Sequence, residues 1–457
     1  MGKRIAVIGA GPAGCYAAYL LNKQGFEVVL FEREAFIGGR TYSWQEQGWV
    51  IDSGAGFVTN FYNTMWPLIR ELDLGSELTT LSRSNSLTNG QQTAEFTVGS
   101  VRSFLSFPFI NSSAKARMAW KAALITARYQ KLDLSRPETL APWDDQSVRD
   151  EAMRLFGEEI YHYLVRPGIE PFWYFSCADV SRALMLGLMA KASTAKFYAF
   201  RKGMSTLCER LVAGLELRLH TSIEQITRRD GQFVLQSSQF KPDEIQAFDG
   251  VVLATTATVA SQLVSKLDES LVSEPTRQFV STQKYVPNIH VAFVAEDRAS
   301  LPAMSSLFPC GPHLSKVAAI NFNSHKQQVQ PQNARHQDIL GIFLTAQESE
   351  ACLSMQDDEL RDHAWRSARE LCPQLPLKSS LYKLIKRPEA IPLHSVGRYR
   401  KAAEIVSTQR SPVVFAGDYL ASATVDGALY TGLKAAQALM ANLGNQPPSD
   451  SMRANGI

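Results

Sequence analysis

Cysteine is scarce in this chain and is not arranged for bonding. Its six cysteines, Cys15, Cys177, Cys208, Cys310, Cys352 and Cys372, are scattered and form no C-x-x-C pair. That pattern excludes a disulfide framework or a zinc knuckle and fits a reducing compartment such as the cytoplasm. The eight histidines form no H-E-x-x-H or other tight ligand cluster, so no metal is expected. No stretch reaches the roughly 18 apolar residues that a membrane-crossing helix needs. Charge of one sign is also lacking: the net charge is +3, which removes any global argument for a nucleic-acid partner. There is no fixed-period repeat. What remains is a chain of 457 residues, 45% hydrophobic and 20% charged, long enough for a two-domain α/β protein with a sizeable core. The terminal stretch 443–457, rich in Asn, Pro and Ser, reads as a flexible tail.

The chain opens MGKRIAVIGAGPAGCYAAYLLNKQGFEVVLFEREAFIGGRTYSW. A charged start before an apolar run is the pattern of a secretory signal, but Gly9, Gly11, Pro12 and Gly14 interrupt the run where an uninterrupted apolar core is required. A strand and helix account for the same letters better. Arg4 to Ile8 is a short β-branched run, as a buried parallel strand should be. Gly9, Gly11 and Gly14 complete G-x-G-x-x-G, and Ala13 to Asn22 follows as an apolar helix. Gly25 ends that helix, and Glu27 to Phe31 forms a second strand closed by Glu32, 18 residues after Gly14. This is the βαβ dinucleotide fingerprint in its required context. Gly9 allows the tight turn, Gly11 the approach of a pyrophosphate, and Gly14 the close packing of helix on strand. The helix N-terminus, opening at Pro12 and Ala13, offers free N–H groups and positive dipole to phosphate. Glu32, followed by Arg33, would accept hydrogen bonds from a ribose.

The following residues include Gly38, Gly39 and Arg40, then Asp52-Ser53-Gly54-Ala55-Gly56. Near the other end stands SPVVFAGDYLASATVDGALYTGLKAAQA, Ser411 to Ala438. Together these segments resemble the flavin amine oxidase superfamily, which includes monoamine oxidases, protoporphyrinogen oxidase and carotenoid desaturases. The resemblance implies FAD as cofactor. Arg40 would pair with its pyrophosphate or lie along the flavin edge. Gly54 and Ala55 would bring backbone close to the isoalloxazine. Gly417 and Asp418 would meet the ribityl or pyrophosphate region. Val425 and Ala428, at the start of a helix expected over Gly427 to Leu439, would stand near the pyrimidine end. Between these ends, KGMSTLCERLVAGL (Lys202 to Leu215) resembles a family helix, Ile223 falls where backbone would read the adenine, and Asp249 to Thr255 is a buried strand entering a turn.

The resulting fold class is α/β: a discontinuous Rossmann-like FAD-binding domain over 1–85, 203–265 and 395–442, with a second α+β substrate-binding domain from 86–202 and 266–394. No second G-x-G-x-x-G follows a strand, so a separate NAD(P)H domain is not expected. Electrons would come from a small apolar organic substrate, by hydride transfer to flavin N5, and leave to O₂ or a quinone. KRPEAIPLHSVGRYR (Lys386 to Arg400) and LVRPGIEPFWYFSCADVSRALM (Leu164 to Met185) resemble the protoporphyrinogen oxidase-like branch.

Two departures from the amine oxidase pattern matter. No lysine stands at the place of that group's active-site lysine, where Asn288 or Ile289 lies nearest and Lys284 is a few residues early. No cysteine stands in Ser395–Val406, where monoamine oxidases attach the cofactor, so FAD is expected to be non-covalent. The alternatives are an amine oxidase producing an imine, a carotenoid desaturase or isomerase, and a flavoprotein whose FAD is structural. Candidate catalytic side chains are His394 and Tyr174, the latter within Phe172-Trp173-Tyr174-Phe175, which is either an aromatic wall for a flat substrate or core. Arg166 is either a carboxylate partner or half of a surface ion pair. From Phe96 to Leu132 there is no acidic residue, and Arg102, Lys115, Arg117, Lys121, Arg128 and Lys131 alternate with Phe, Trp and Leu. Two readings of 96–132 stand: a solvated basic face on a substrate-domain helix, or peripheral contact with an anionic membrane.

Overall fold

The structure, a computed structural model, describes residues 2–46, 49–241, 246–297, 301–313, 315–322, 337–377 and 379–444. The expected flexible tail therefore lies, beyond Gly444, outside the described residues.

The apolar run at the start forms the middle strand of a five-stranded sheet, Arg4–Ile8. It is flanked by Glu27–Phe31 and Gly250–Leu253, with Glu216–Arg218 and Val413–Phe415 at the edges. Every pairing is parallel, and the register sets Val7 beside both Leu30 and Val252. Ile5, Ala6, Val7 and Ile8 are all buried, as both faces of a parallel sheet must be when helices cover them. One face is covered by the helix Pro12–Lys23, whose Ala17, Ala18 and Leu21 pack with Ala435, Ala436 and Leu439 of the long helix Val425–Asn442. The first helix begins one residue earlier than the apolar pattern indicates, because proline's fixed φ suits the first helical turn. The second long helix likewise starts earlier, at Val425, where the Thr424 hydroxyl accepts a hydrogen bond from the Gly427 amide.

The other face carries an antiparallel three-stranded sheet, Gln225–Arg229, Gln232–Gln236 and Gln246–Phe248, and the helices Ala257–Leu263 and Glu274–Ser281. Leu267, Leu271, Phe279 and Val280 belong to this core with Val251 and Phe415. The stretch 266–281, which the sequence boundaries assign to the second domain, thus packs beneath the nucleotide sheet.

A second, seven-stranded sheet joins segments far apart in the chain, in the order 380–392, 285–295, 338–344, 317–322, 306–309, 84–88, 93–97. Tyr285–Ala295 alternates in residue type as the sequence suggests, but it is buried on both faces along most of its length. Ile289, Val291 and Phe293 meet the helix Asp357–Leu371, while Asn288 and His290 look into a cavity rather than into solvent. Helices Ser112–Tyr129, Val148–Phe156 and Arg182–Ala192 form a further core around Phe156, Leu184 and Tyr399.

Asp426 ties three of these pieces together. Its carboxylate accepts from the Thr64 and Met65 amides, at 3.0 and 2.7 Å, and from the Ser135 hydroxyl. Burial nevertheless dominates and pushes its pKa up to about 7, against the pull of Ser135. A carboxyl raised in the fold favours folding most below its unfolded value near 4, and that contribution is lost as pH rises through 7. Between pH 6 and 8 this group should remove about 1 kcal/mol of stability. Urea unfolding of the natural chain and of Asp426→Asn across that interval checks this: the variant should lack that part of the slope.

Candidate active site

The site starts where the first strand ends. Gly9 turns at φ +103°, and a Cβ there would come within 2.7 Å of the Ala254 carbonyl oxygen. A Cβ on Gly14 would fall inside the envelope of the Gly9 carbonyl and meet Ala254 Cβ at 3.0 Å. Gly11 differs: a Cβ there meets nothing within 4 Å, because the residue faces open space. Behind it the first helix has neither a side-chain cap nor an acidic residue in its first turn, so its leading amides are unclaimed. Across the turn, Glu32 accepts from the Ala10 amide at 2.8 Å and the Glu34 amide at 3.0 Å. Its two oxygens keep lone pairs for a ribose diol.

This turn opens into a cavity of about 1900 Å³ that runs under the seven-stranded sheet. Of the residues expected to hold the nucleotide, Gly9, Gly11, Pro12, Glu32 and Arg33 line it at the first turn. Gly39, Arg40, Gly54 and Ala55 line it further along. Ile223, Thr255, Asp418, Val425 and Ala428 line it from the later segments. Ala13, Gly14 and Gly417 do not reach it: they shape the backbone behind its wall. Arg40 and Asp418, each expected to meet the cofactor independently, form an ion pair at 2.7 Å, and Arg40 also donates to the Ala390 carbonyl at 3.1 Å. The pair joins the first and last nucleotide segments.

Beyond the turn the walls are aromatic. Phe172, Trp173 and Tyr174 line the cavity, whereas Phe175 is buried in the core, so the run of four is divided between wall and core. Tyr174 adopts φ +63°, stacks near Phe343, and has its hydroxyl pKa raised by burial, so it stays protonated. His394, the other candidate, does not line the cavity. It lies parallel to Tyr399, with ring centroids 5.0 Å apart. Burial, helped by nearby Arg398, drives its pKa down to about 3. Set behind the cavity wall and stacked on Tyr399, His394 is corrected to a packing residue. Arg166 is also structural: it pairs with Glu170 at 3.3 Å and donates to the Gly311 carbonyl at 3.1 Å.

Sequence reasoning missed several wall residues. Asn288 and His290 come from one strand of the second sheet, Asn321 from the strand two positions along, and Arg387 from its edge strand. The alternation of polar 288 and 290 with apolar 289 and 291 was a legible signal for the first two. Lys284 is exposed and lies outside the cavity wall. No cysteine lines the cavity among the described residues. On the outer side of the second sheet, the fold brings together Glu348, Cys352 and His363, which the sequence did not group. His363 Nε2 and Glu348 Oε1 are 2.5 Å apart, a hydrogen bond that accounts for the cluster without an ion.

A nucleotide sheet whose glycine turn opens into an aromatic chamber beneath a second sheet defines the two-domain flavoprotein class. The family described as flavin containing amine oxidoreductase matches residues 12–440, and this chain belongs to it. Its cofactor is accordingly FAD, and the open space at Gly11, the unclaimed helix amides and Glu32 fit that group. Protoporphyrinogen oxidase of Nicotiana tabacum is 29% identical over 166 residues, 36% of this chain and 31% of that protein. Zeta-carotene desaturase of Zea mays is 26% identical over 253 residues, 51% of this chain and 42% of that one. The matched regions thus span well under half of each relative. Among solved structures, cyclohexylamine oxidase from Brevibacterium oxydans superposes with a TM-score of 0.71 at 16% identity, covering 97% of this chain and all of that one. A fatty acid isomerase from P. acnes gives 0.67 at 19% identity, covering 94% and 97%. These likenesses establish the fold.

The glycines separate cofactor binding from folding. Gly11→Val should leave the melting temperature of the FAD-free protein within about 2 °C, yet yield colourless protein if the pyrophosphate lies in the open space its side chain would enter. Gly14→Ala should instead lower stability by about 3 kcal/mol or abolish soluble expression. Flavin absorbance per chain and thermal melts distinguish the two. For His394, substitution by Phe should keep the stack on Tyr399 and change turnover less than about twofold, where loss of a general acid or base costs about a hundredfold. An imidazole held neutral stabilises the fold above its unfolded value near 6.5, and that contribution is lost as pH falls toward 3. His394→Phe should therefore also resist acid better in melts between pH 6 and 4.

Proposed function

We propose that the protein is an FAD-dependent oxidoreductase that dehydrogenates an apolar organic substrate, with FAD held non-covalently. The observation that carries this is one continuous cavity, from the phosphate-binding turn at Gly9–Gly11 to an aromatic chamber under the second sheet. FAD, when bound, supplies a two-electron acceptor for a substrate C–H bond. The chain's own residues bind, orient and exclude water. Phe172 meets Phe57 edge-on and Phe308 at a tilt, with centroids 5.8 and 5.2 Å away, and the three rings make an apolar wall. Holding the reacting carbon in one orientation there is the protein's main contribution. Cofactor contacts are assigned to Gly11, Glu32, Arg40, Gly54, Ile223, Asp418 and Val425.

The reading nearest in pattern is protoporphyrinogen oxidase, and a polyene desaturase is the second. An amine oxidase is disfavoured: the one lysine among the described lining residues, Lys386, is tied to Asp357 at 2.9 Å and to the Met355 carbonyl. The electron acceptor would be O₂ or a quinone.

The far rim of the cavity supports a peripheral membrane contact. Val101, Phe104, Leu105 and Met118 line it, on the helices Val101–Ser106 and Ser112–Tyr129. Val101, Leu105, Trp120 and Leu124 are 72, 61, 66 and 47% exposed, and Arg102, Lys121 and Lys131 stand among them. No helix among the described residues is long and apolar enough to cross a membrane. An amphipathic basic surface of this kind suits an anionic bilayer, from which a lipophilic substrate would enter directly.

Anaerobic titration tests the reaction. Bleaching of the flavin band by a tetrapyrrole precursor or a polyene, and not by aliphatic amines, is the expected result; bleaching by an amine alone would sink it. For the surface, the protein should co-sediment with anionic liposomes at low salt, and Trp120→Glu with Leu124→Glu should weaken that binding about tenfold or more.

A further inference from the structure

Four cationic side chains line the cavity among the described residues: Arg33, Arg40, Lys386 and Arg387. Three have a carboxylate partner, Arg33 with Glu34 at 3.1 Å, Arg40 with Asp418 at 2.7 Å and Lys386 with Asp357 at 2.9 Å. Arg387 has none among the described residues. Its Nη1 donates to the Ser53 carbonyl and its Nη2 to the Ser53 hydroxyl at 2.8 Å. A guanidinium carries five N–H donors, so three have no acceptor among the described residues. Nor is the charge in a comfortable place. Burial, reinforced by repulsion from Arg40, pulls its pKa down to about 10, which still leaves it cationic at neutral pH.

The position of this charge is specific. Arg387 stands on the edge strand Ser380–Pro392, and Gly54 has so little room that a Cβ there would come within 3.2 Å of Arg387 Nη1. The two bonds to Ser53 fix the plane of the guanidinium. Asn288, also cavity-lining, is the register partner of Arg387 on the neighbouring strand, and the Tyr174 ring lies close enough to act on the charge. A half-buried cation without a carboxylate partner is a net cost to the protein unless a ligand brings the opposite charge. The planar fork of donors matches a carboxylate, which can take two of them in parallel.

We propose that Arg387 anchors a carboxylate carried by the substrate, an inference that rests on the reading of the cavity as a substrate chamber. The substrate class narrows accordingly, from an apolar molecule to an apolar carboxylic acid with its acidic end held beside Ser53. The same charge would repel an ammonium group at that end.

The test uses the full FAD-loaded chain and three probes of one length: decanoate, decanol and decylamine. Binding is followed by calorimetry and by perturbation of the flavin spectrum. Decanoate should bind about tenfold or more tighter than decanol, and decylamine weaker than both. Arg387→Met, similar in length but neutral, should abolish the preference for the acid while leaving the affinity for decanol within about twofold. Arg387→Lys should retain part of it. If decanoate and decanol bind equally, the inference falls while the substrate-chamber reading stands. Should neither bind, the chamber reading fails and takes the inference with it. A Met variant that shifts the flavin reduction potential but keeps the preference for the acid would assign the guanidinium to the cofactor, and overturn the proposal. Should that variant fail to retain FAD, the comparison of acid with alcohol in the natural chain, together with Arg387→Lys, decides.

Discussion

The close approach of Gly14 to the Gly9 carbonyl is the constraint on which the rest of the site depends. Any side chain at 14 would push the first helix off the first strand. With that helix displaced, its leading amides would no longer point at the open space over Gly11. The same helix carries Ala17, Ala18 and Leu21 onto the long helix Val425–Asn442, so its seating also positions Val425 and Ala428 on the opposite wall. Small residues recur at this contact because two helices and a sheet must meet within one core: a Cβ on Gly432 would collide with the Ala13 backbone. Geometry at the phosphate turn is therefore transmitted to the far end of the chain by packing alone.

Electrostatics divides the cavity in two. At the nucleotide end, charges are neutralised within the protein: Glu32 by backbone amides and Arg40 by Asp418. Compensated charges can contact a charged cofactor without a large penalty when it is absent. At Arg387 the balance is different, since it is held on Ser53 and has no carboxylate hydrogen-bonded to it among the described residues.

Much of the nucleotide half was legible in the chain. The strand at Arg4–Ile8, the turn, the helix and Glu32 are consecutive, and each obeys a local rule of spacing or backbone conformation. The last helix was legible for the same reason, with its start displaced to Val425 by a cap the apolar pattern does not reveal. The substrate half was less so. Its seven-stranded sheet pairs 306–309 with 84–88, a contact more than two hundred residues apart that no periodicity announces. His394 misled because a histidine in a glycine-flanked segment reads alike whether it faces a ligand or an aromatic ring; burial against Tyr399 settled it. Residues 266–281 misled because a loop and a short helix carry no mark of the sheet they pack under.

The sequence by itself determined the glycine-turn end of this protein: G-x-G-x-x-G between a β-branched run and an apolar helix leaves the backbone few other conformations, and those conformations leave the open space at Gly11. Only the tertiary structure decided which charges are spent on one another and which remain. Arg40 finds Asp418 across 378 positions, and Arg387 finds a serine where an acid could have stood. The physical reason is range. Backbone conformation is governed by neighbours in the chain, whereas a buried charge is governed by whatever the fold brings within a few ångströms.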